Sequence, residues 1–205
     1  EPSYEILSGF DPAVVMMELE RIARTCYKSD DKIKPGESAG PFIRGIIKNG
    51  HEAMIEHFSI SVRFIAGRNF SHELVRHRIA SFAQESQRYC SYDKDKFGNE
   101  VTFIRPLQYE DKKFMRIWTK AMKEAEKNYF SLIKAGYKAQ EARLVLPNSC
   151  KTEIVITCNL REWRSIFKLR ADKPADGPMR ELMVPLLKDM KDRLPNIFFD
   201  IDFDL

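Results

Sequence analysis

Residues 58–67 read Phe-Ser-Ile-Ser-Val-Arg-Phe-Ile-Ala-Gly and contain the clearest strand pattern in the chain. Four apolar residues (Phe58, Ile60, Val62 and Phe64) alternate with serine and arginine, and a glycine closes the run. A period of two residues predicts a strand with one buried face. Because helical patterns precede and follow this strand, the sequence predicts a mixed α+β fold.

Helical periodicity dominates the rest of the chain. Asp11 before Pro12 supplies an N-cap oxygen and then a residue whose missing N–H costs nothing in the first turn. The longest amphipathic pattern covers residues 110–135. Further helices are predicted from residue 12 to 26 and at 41–49, 69–80, 163–170 and 179–193, the last kinked at Pro185, with a short one before Pro147. Strands are predicted at 101–104 and 152–157, and an extended or irregular segment at 82–90.

The composition is that of an ordinary globular protein. The 205 residues are 43% hydrophobic and 31% charged, so we expect residues 1–205 to form a single domain. No apolar run approaches the about 18 residues that a membrane span needs, and the start of the sequence has no secretory pattern. The four cysteines lack CxxC spacing, which favours reduced thiols. We therefore expect a cytoplasmic protein with no membrane partner.

Residues 76–89 carry an unusual density of polar donors: Arg-His-Arg-Ile-Ala-Ser-Phe-Ala-Gln-Glu-Ser-Gln-Arg-Tyr. Arginine side chains present paired N–H donors that suit phosphate, and the amides of Gln84 and Gln87 suit the edge of a nucleobase. A solvated basic helix end is the alternative. The net charge of only +4 argues against a nucleic-acid partner but allows a small anion.

Arginines also lie within apolar sequence further along. Arg143 stands in Ala-Arg-Leu-Val-Leu-Pro, and Arg161, Arg164 and Arg170 crowd a second helix. A buried arginine is costly without an anionic partner. This pattern favours a phosphate or nucleotide ligand over a solvated surface.

The run 76–86 resembles the signature of flavin-dependent thymidylate synthases, which is Arg-His-Arg, seven residues and then Ser. Three further elements resemble that family in the same order along the chain. They are His51-Glu52 with Glu56-His57, the segment from Arg143 to Pro147, and Asn159-Leu160-Arg161 with Leu169-Arg170. Four elements in register identify the chain as a member of the family, and the resemblance implies its fold, a mixed domain with a central antiparallel-type sheet flanked by helices.

The resemblance implies that the protein methylates dUMP to dTMP. Methylenetetrahydrofolate would supply the carbon, NADPH would reduce FAD, and the reduced flavin would supply hydride. The implied small-molecule partners are therefore dUMP, the folate and NADPH. The family also implies a homotetramer with FAD sites between subunits.

The resemblance further assigns the site residues. dUMP would be bound by Glu73, Arg76, Gln84, Glu85, Ser86, Gln87, Arg88, Arg143 and Arg170. FAD would be bound by Ala53, Arg76, His77, Arg78, Gln84, Asn159, Arg161 and Ser165. His51 would lie on the nicotinamide or folate side, and no metal is implied. Arg170 would be the catalytic residue, because a cation beside the uracil ring favours the N3-deprotonated form and makes C5 a better nucleophile.

Two departures from the family pattern are visible. After Arg170 many members carry a His-Ala-Gln-like step, whereas this chain continues Ala-Asp-Lys-Pro-Ala-Asp-Gly-Pro-Met. Ser165 stands where another member would have an asparagine that contacts FAD. Both departures concern the adenine side of the flavin site and leave the implied reaction class unchanged.

Several alternatives stay open on the sequence. A related C5-methylase acting on UMP would share every motif named above. A nucleic-acid-binding module would need a dominating basic face, and a metal-dependent hydrolase a better ligand set. His51 and His57 are six residues apart, which is not the HExxH spacing of a zinc site. We expect no acidic residue to orient His77 as in a catalytic triad, and we therefore expect Ser86 to hydrogen-bond phosphate and Cys90 to pack.

Overall fold

A computed structural model describes residues 1–94, 98–107 and 111–202. The helices are α1 (Pro12–Tyr27), α2 (Ala39–Lys48), α3 (Arg68–Leu74), α4 (Lys112–Lys134), α5 (Ala139–Ala142), α6 (Leu160–Arg170), α7 (Gly177–Arg193) and α8 (Pro195–Phe198). The strands are β1 (Ser3–Ile6), β2 (Ser59–Gly67), β3 (Ser81–Gln84) and β4 (Lys151–Asn159). Short 3₁₀ turns lie at Asp30–Lys32, Glu52–His57 and Arg143–Val145.

The strands form one four-stranded antiparallel sheet in the order β1-β2-β4-β3. Buried and partly buried residues alternate along most of β2 and all of β4, as the period of two predicted. The predicted strand therefore exists and ends at Gly67, beginning one residue later than predicted. The mixed fold with an antiparallel sheet and helices is confirmed.

Contacts divide the chain into two compact units. The α4 unit comprises Glu1–Ser3, Phe64–Arg76 and Phe82–Val155. The α6 unit comprises Tyr4–Arg63, His77–Ser81 and Ile156–Leu205.

Aromatic side chains of the C-terminal helices form much of the core of the α6 unit. Trp163 and Phe167 are fully buried with ring centroids 5.6 Å apart, and Phe167 also contacts Phe198 edge to face. The indole Nε1 of Trp163 donates to the carbonyl of Ile60 at 3.1 Å, so the buried polar atom is satisfied. Helix α7 continues through Pro185, where a kink was predicted.

The α4 unit has its own core, in which Tyr92 and Tyr129 pack with ring centroids 5.6 Å apart beside buried Cys150. The two oxygens of the Asp111 side chain accept from the backbone N–H groups of the first turn of α4, so Asp111 is the N-cap of this helix. The predicted start at residue 110 lies outside the described residues, and the predicted body of the helix is confirmed.

Two predictions were wrong in extent. The helix predicted at 69–80 ends at Leu74, because the backbone N–H groups of Val75 and Arg76 close the last turn and His77 is drawn into buried contacts. Tertiary contacts here outweigh helix propensity. The strand predicted at 101–104 is a single antiparallel bridge between Phe103 and Cys150. Strand β1 and helix α8 are each four residues long, too short to show a periodic pattern.

Candidate active site

A pocket of about 460 Å³ opens in the α6 unit. Its lining combines three carboxylates, two cations, an amide, a hydroxyl and one apolar side chain, and we call it the α6 pocket. The lining residues are Glu52, Glu56, Ile79, Asn159, Arg161, Glu162, Ser165 and Lys168. A concave site with a few convergent polar groups is typical of small-molecule binding.

The first two turns of α6 present polar groups to this pocket. Asn159 is the N-cap, and its Oδ1 accepts from the backbone N of Glu162 at 2.9 Å. Arg161 and Ser165 are four residues apart and so share one face of the helix, and both are exposed. Trp163 on the other face is fully buried. The amphipathic pattern of α6 therefore turns one face to the core and the other to the pocket.

Two ion pairs bring cations and carboxylates together in the α6 pocket. The guanidinium of Arg161 lies 2.6 Å from the carboxylate of Glu56, and the ammonium of Lys168 lies 3.8 Å from that of Glu52. The side chains of Arg161 and Lys168 are 51% and 50% exposed. Pairs this exposed contribute little to stability, so a ligand can exchange partners with them at low cost.

His77 joins α6 to the turn that precedes β3. Its side chain is 7% exposed, with Nδ1 3.2 Å from Oε1 of Glu162, so the expectation that no acidic residue orients His77 was wrong. On the other side of the ring, Nε2 accepts a hydrogen bond from Nε of Arg170 at 3.1 Å. Burial, and then the Arg170 cation, lower the pKa of His77 to about 4, and burial raises the pKa of Glu162. His77 is therefore neutral at neutral pH.

We expect the buried neutral His77 to make the protein less stable in acid. The pKa is about 4 in the folded protein against 6.5 in the unfolded chain, so the unfolded state binds more protons between these values. The stabilising contribution is complete above pH 6.5 and is lost as the pH falls toward 4, by about 3 kcal/mol in the free energy of unfolding. Urea denaturation at a series of pH values measures this loss.

The variant His77→Gln cannot titrate and serves as the reference for this measurement. Its free energy of unfolding should decline less steeply than that of the wild type as the pH falls from 6.5 to 4. Equal slopes for the two proteins across that window would contradict the expectation.

Arg164 is fully buried on the core side of α6. Its guanidinium makes two hydrogen bonds with the carboxylate of Asp200, at 2.7 and 2.8 Å, and contacts Glu52 at 3.0 Å. It also donates to the carbonyl of Ile197. The anionic partner that the sequence suggested for this arginine therefore comes from the chain itself, and Arg164 does not favour a phosphate ligand.

The glutamine-rich part of the predicted dUMP site lies in the α4 unit. The amide nitrogen of Gln84 donates to the hydroxyl groups of Ser71 and Thr152, at 2.8 and 3.1 Å. Glu85 pairs with Lys151 at 3.1 Å. Gln87 is buried, and its amide nitrogen lies 3.2 Å from Sγ of Cys150. These three side chains therefore have internal partners in the α4 unit.

Other predicted dUMP residues in this unit are more exposed. Arg76 and Arg88 are exposed, and the guanidinium of Arg88 lies 5.5 Å from the ring centre of Tyr89. The hydroxyl of half-buried Ser86 accepts from the backbone N of Arg88 at 3.4 Å. The carbonyl of half-buried Glu73 accepts from the backbone N of Arg76 at 3.1 Å. The turn at 86–88 and the end of α3 thus each present an arginine to solvent.

Arg143 begins a 3₁₀ turn in the α4 unit and is half-buried. Its Nε donates to the carbonyl of Gln140 at 3.3 Å. The neighbouring Leu144 is 81% exposed, so the apolar sequence around Arg143 does not bury it.

The structure brings three of the predicted FAD residues together in the α6 pocket: Asn159, Arg161 and Ser165. Within the same unit, Arg78 is exposed and precedes Ile79 of the pocket lining, and Ala53 is exposed in the 3₁₀ turn after Glu52. The other three predicted FAD residues do not line the pocket. His77 belongs to the α6 unit, and Arg76 and Gln84 belong to the α4 unit.

His51, which was assigned to the nicotinamide or folate side, is exposed just before the Glu52–His57 turn. Its Nδ1 lies 2.8 Å from the hydroxyl of Tyr27 at the end of α1. This hydrogen bond fixes the ring against α1.

Four charged residues of the pocket escaped the sequence prediction as site residues: Glu52, Glu56, Glu162 and Lys168. Glu162 carried a usable signal, because an N-cap asparagine followed three residues later by glutamate is a helix-start pattern that places both at the same turn. Glu52 and Glu56 belong to one of the four motif elements, but the resemblance assigns them no ligand.

Across residues 1–94, 98–107 and 111–202, the side chains form no group of three or more His, Cys, Asp or Glu placed to hold a metal ion. Among the helices in these same ranges, none has the length and apolar character to cross a bilayer. All four cysteines are free thiols.

Comparison with known proteins places these features in one family. A family model described as thymidylate synthase complementing protein matches residues 16–196. The chain is 36% identical over 185 residues to the flavin-dependent thymidylate synthase of Geobacter sulfurreducens, covering 87% of this chain and 78% of that protein. It is 32% identical over 204 residues to that of Corynebacterium efficiens, covering 91% and 79%. It is 38% identical over 151 residues to that of Pyrococcus furiosus, covering 72% and 61%.

The matched region contains the run 76–86, the α6 helix and every residue that lines the α6 pocket. The resemblance that the motifs carried is therefore confirmed over most of the chain, and the chain belongs to the family of flavin-dependent thymidylate synthases.

Proposed function

We propose that this protein methylates dUMP to dTMP, with methylenetetrahydrofolate as the carbon donor and NADPH-reduced FAD as the hydride donor. The observation that carries the proposal is the family match across residues 16–196, which includes the complete Arg-His-Arg…Ser run. We further propose that residues 1–205 act as one domain with the fold of this family, and that the protein works in the cytoplasm.

The α6 pocket fits part of an FAD molecule. Asn159, Arg161 and Ser165 offer polar groups beside the apolar side chain of Ile79, which is 69% exposed. The pocket holds three carboxylates against two cations, so it suits the uncharged rings better than the pyrophosphate. Arg78, exposed next to Ile79 in the chain, has no carboxylate partner within the described part of the protein and suits the phosphates.

FAD, when bound, supplies the hydride chemistry that no amino-acid side chain provides. The contribution of this chain is to bind and orient. Arg161 exchanges its pairing with Glu56 for the ligand, and Asn159 offers its amide nitrogen while its oxygen caps α6. Ser165 stands where other members have an asparagine, and it offers a hydroxyl group on a shorter side chain.

We propose that the exposed cations of the α4 unit bind the phosphate of dUMP. Arg88 and Arg76 are exposed arginines in the same unit as Ser86, whose hydroxyl belongs to the residue two positions before Arg88. Arginine forks and a hydroxyl group together satisfy several phosphate oxygens. Glu73, Gln84, Glu85, Gln87 and Arg143 complete the proposed dUMP set. The internal hydrogen bonds of the glutamines support a role in shaping this site.

Arg170 is proposed to activate the uracil ring. It is half-buried at the C-terminal end of α6, where Nε donates to His77. A fixed cation beside the ring stabilises the negative charge that develops when C5 attacks the carbon donor. His51 is proposed to lie on the nicotinamide or folate side.

A homotetramer with FAD sites between subunits is also part of the proposal. Several large apolar side chains next to the proposed site residues are strongly exposed in the single chain. They are Ile79 at 69%, Tyr89 at 76%, Leu144 at 81% and Leu169 at 57%. Exposed apolar side chains at a functional segment support burial against a further copy of the chain.

We expect FAD to stabilise the purified protein and dUMP to be its methyl acceptor. At about one hundred times the dissociation constant, a ligand of the native state adds about 2.7 kcal/mol, which raises the thermal midpoint by roughly 5–10 °C. Differential scanning fluorimetry with and without FAD measures the shift. Product analysis with dUMP or UMP under NADPH and methylenetetrahydrofolate measures the acceptor.

The variant Arg161→Ala should reduce the FAD-induced shift while leaving the midpoint of the free protein nearly unchanged. Arg193→Ala is the matched control, since Arg193 is similarly exposed and pairs with Asp189 on α7. A protein that shows neither a flavin spectrum nor an FAD-induced shift, and that forms no dTMP, would refute the proposed function.

A further inference from the structure

Three polar side chains of the α6 unit are connected in series: Glu162, His77 and Arg170. Oε1 of Glu162 lies 3.2 Å from Nδ1 of His77, and Nε2 of His77 lies 3.1 Å from Nε of Arg170. The side chains of Glu162 and His77 are only 12% and 7% exposed. The series therefore runs from the lining of the α6 pocket through a buried ring to the proposed catalytic arginine.

The hydrogen bonds determine which tautomer of His77 is present. The Nε of arginine is always a donor, so Nε2 of His77 must be the acceptor in this contact. A neutral imidazole with an acceptor at Nε2 carries its proton on Nδ1, and this proton points to the carboxylate of Glu162. Each of the two contacts therefore requires the same tautomer.

Arg170 gains a defined orientation from this arrangement. The arginine side chain is long and loses much rotamer freedom when it is held in one geometry. A hydrogen bond at Nε fixes the plane of the guanidinium, because Nε belongs to that plane. In the other tautomer, Nε2–H would face the N–H of Arg170 and the two donors would repel each other.

We propose that Glu162 is a positioning residue for the reaction, which keeps the proton of His77 on Nδ1 so that Nε2 remains the acceptor that orients Arg170. The inference rests on the proposed role of Arg170. Glu162 also lines the α6 pocket, so a ligand in that pocket contacts the carboxylate that orders the series. Glu162 thereby links the pocket to the orientation of Arg170.

The tautomer can be measured directly in the wild-type protein. Long-range ¹H–¹⁵N NMR on histidine-labelled protein, assigned with His77→Gln, distinguishes a protonated Nδ1 from a protonated Nε2. We expect a protonated Nδ1 at His77 at neutral pH. A protonated Nε2 in the wild type overturns the proposal without the need for any further variant.

The glutamate is tested with two substitutions. Glu162→Ala removes the acceptor and should give a mixture of tautomers, with single-turnover dTMP formation at saturating dUMP about tenfold to a hundredfold slower. Glu162→Gln retains an oxygen at the same position. It should restore most of the Nδ1-protonated tautomer and most of the single-turnover rate. Asp189→Ala, which removes an ion-paired carboxylate on α7, is the matched control and should change neither.

The outcomes separate the positioning role from the proposed function. A wild-type protein that forms no dTMP refutes the proposed function, and the NMR result still decides the tautomer. A wild type that forms dTMP, with Glu162→Ala unchanged in tautomer or in single-turnover rate, overturns the positioning role alone. The positioning role is also overturned if folded Glu162→Gln forms dTMP no faster in a single turnover than Glu162→Ala. The oxygen that the glutamine side chain retains would then have no effect on the reaction.

Discussion

Arg170→Ala should slow single-turnover formation of dTMP by about a hundredfold to a thousandfold at saturating dUMP. Removal of one preorganised donor at a developing anion typically has an effect of this size. Anaerobic reduction of the bound flavin by NADPH should change much less, because that step does not require the cation proposed to lie beside uracil. Comparison of the two rates in stopped-flow and rapid-quench experiments measures the difference.

Arg170→Lys is the informative companion to this variant. It keeps a positive charge but lacks the planar fork and the Nε donor that contacts His77, so it should recover only part of the rate. Arg193→Ala removes an exposed arginine from α7 and should leave both rates unchanged. Near-normal dTMP formation by Arg170→Ala would show that the arginine is structural.

Arg164→Ala should produce the largest loss of stability of any single change discussed. The substitution leaves Asp200 and Glu52 without their shared cation, and it leaves the carbonyl of Ile197 without this donor. Breaking a buried ion pair on one side typically costs about 3–5 kcal/mol in the free energy of unfolding. Urea denaturation followed by circular dichroism measures this loss.

The matched control for Arg164 is again Arg193→Ala. Both arginines sit on helices of the α6 unit and pair with carboxylates, but the side chain of Arg193 is 46% exposed against 1% for Arg164. The exposed pair should contribute less than about 1 kcal/mol. Similar losses for the two variants would mean that the buried cluster around Arg164 is not the source of its stability.

The sequence predicted those elements whose apolar period runs over many residues. Strand β2 alternates between buried and partly buried residues along most of its length, and α4 keeps one apolar face for more than five turns, so local pattern and tertiary structure agree. The helix predicted at 69–80 failed in its second half, residues 75–80, although Val75, Ile79 and Ala80 are apolar. There, the buried contacts of His77 with two α6 residues decide the backbone, and those partners are far away in sequence.

The site was predictable where motif residues are local and was missed where partners are distant. Asn159, Arg161 and Ser165 lie within two turns of one helix start, so the sequence placed them together. Arg164 belongs to the same helix, and nothing local distinguished it from a ligand-binding arginine. Its anions are 112 and 36 positions away in the chain, and only the folded structure brings them to it.

The same separation has a consequence for folding. The 3₁₀ turn with Glu52 emerges from a ribosome roughly ten seconds before Arg164 at typical rates of synthesis, and Asp200 follows later still. Closing so long a loop is entropically costly, so this cluster should form after the folding transition state rather than within it. Interactions that form late barely change the folding rate and mainly slow unfolding. The Arg164 cluster should therefore slow unfolding of the native protein, whereas it should not accelerate folding of the newly synthesised chain.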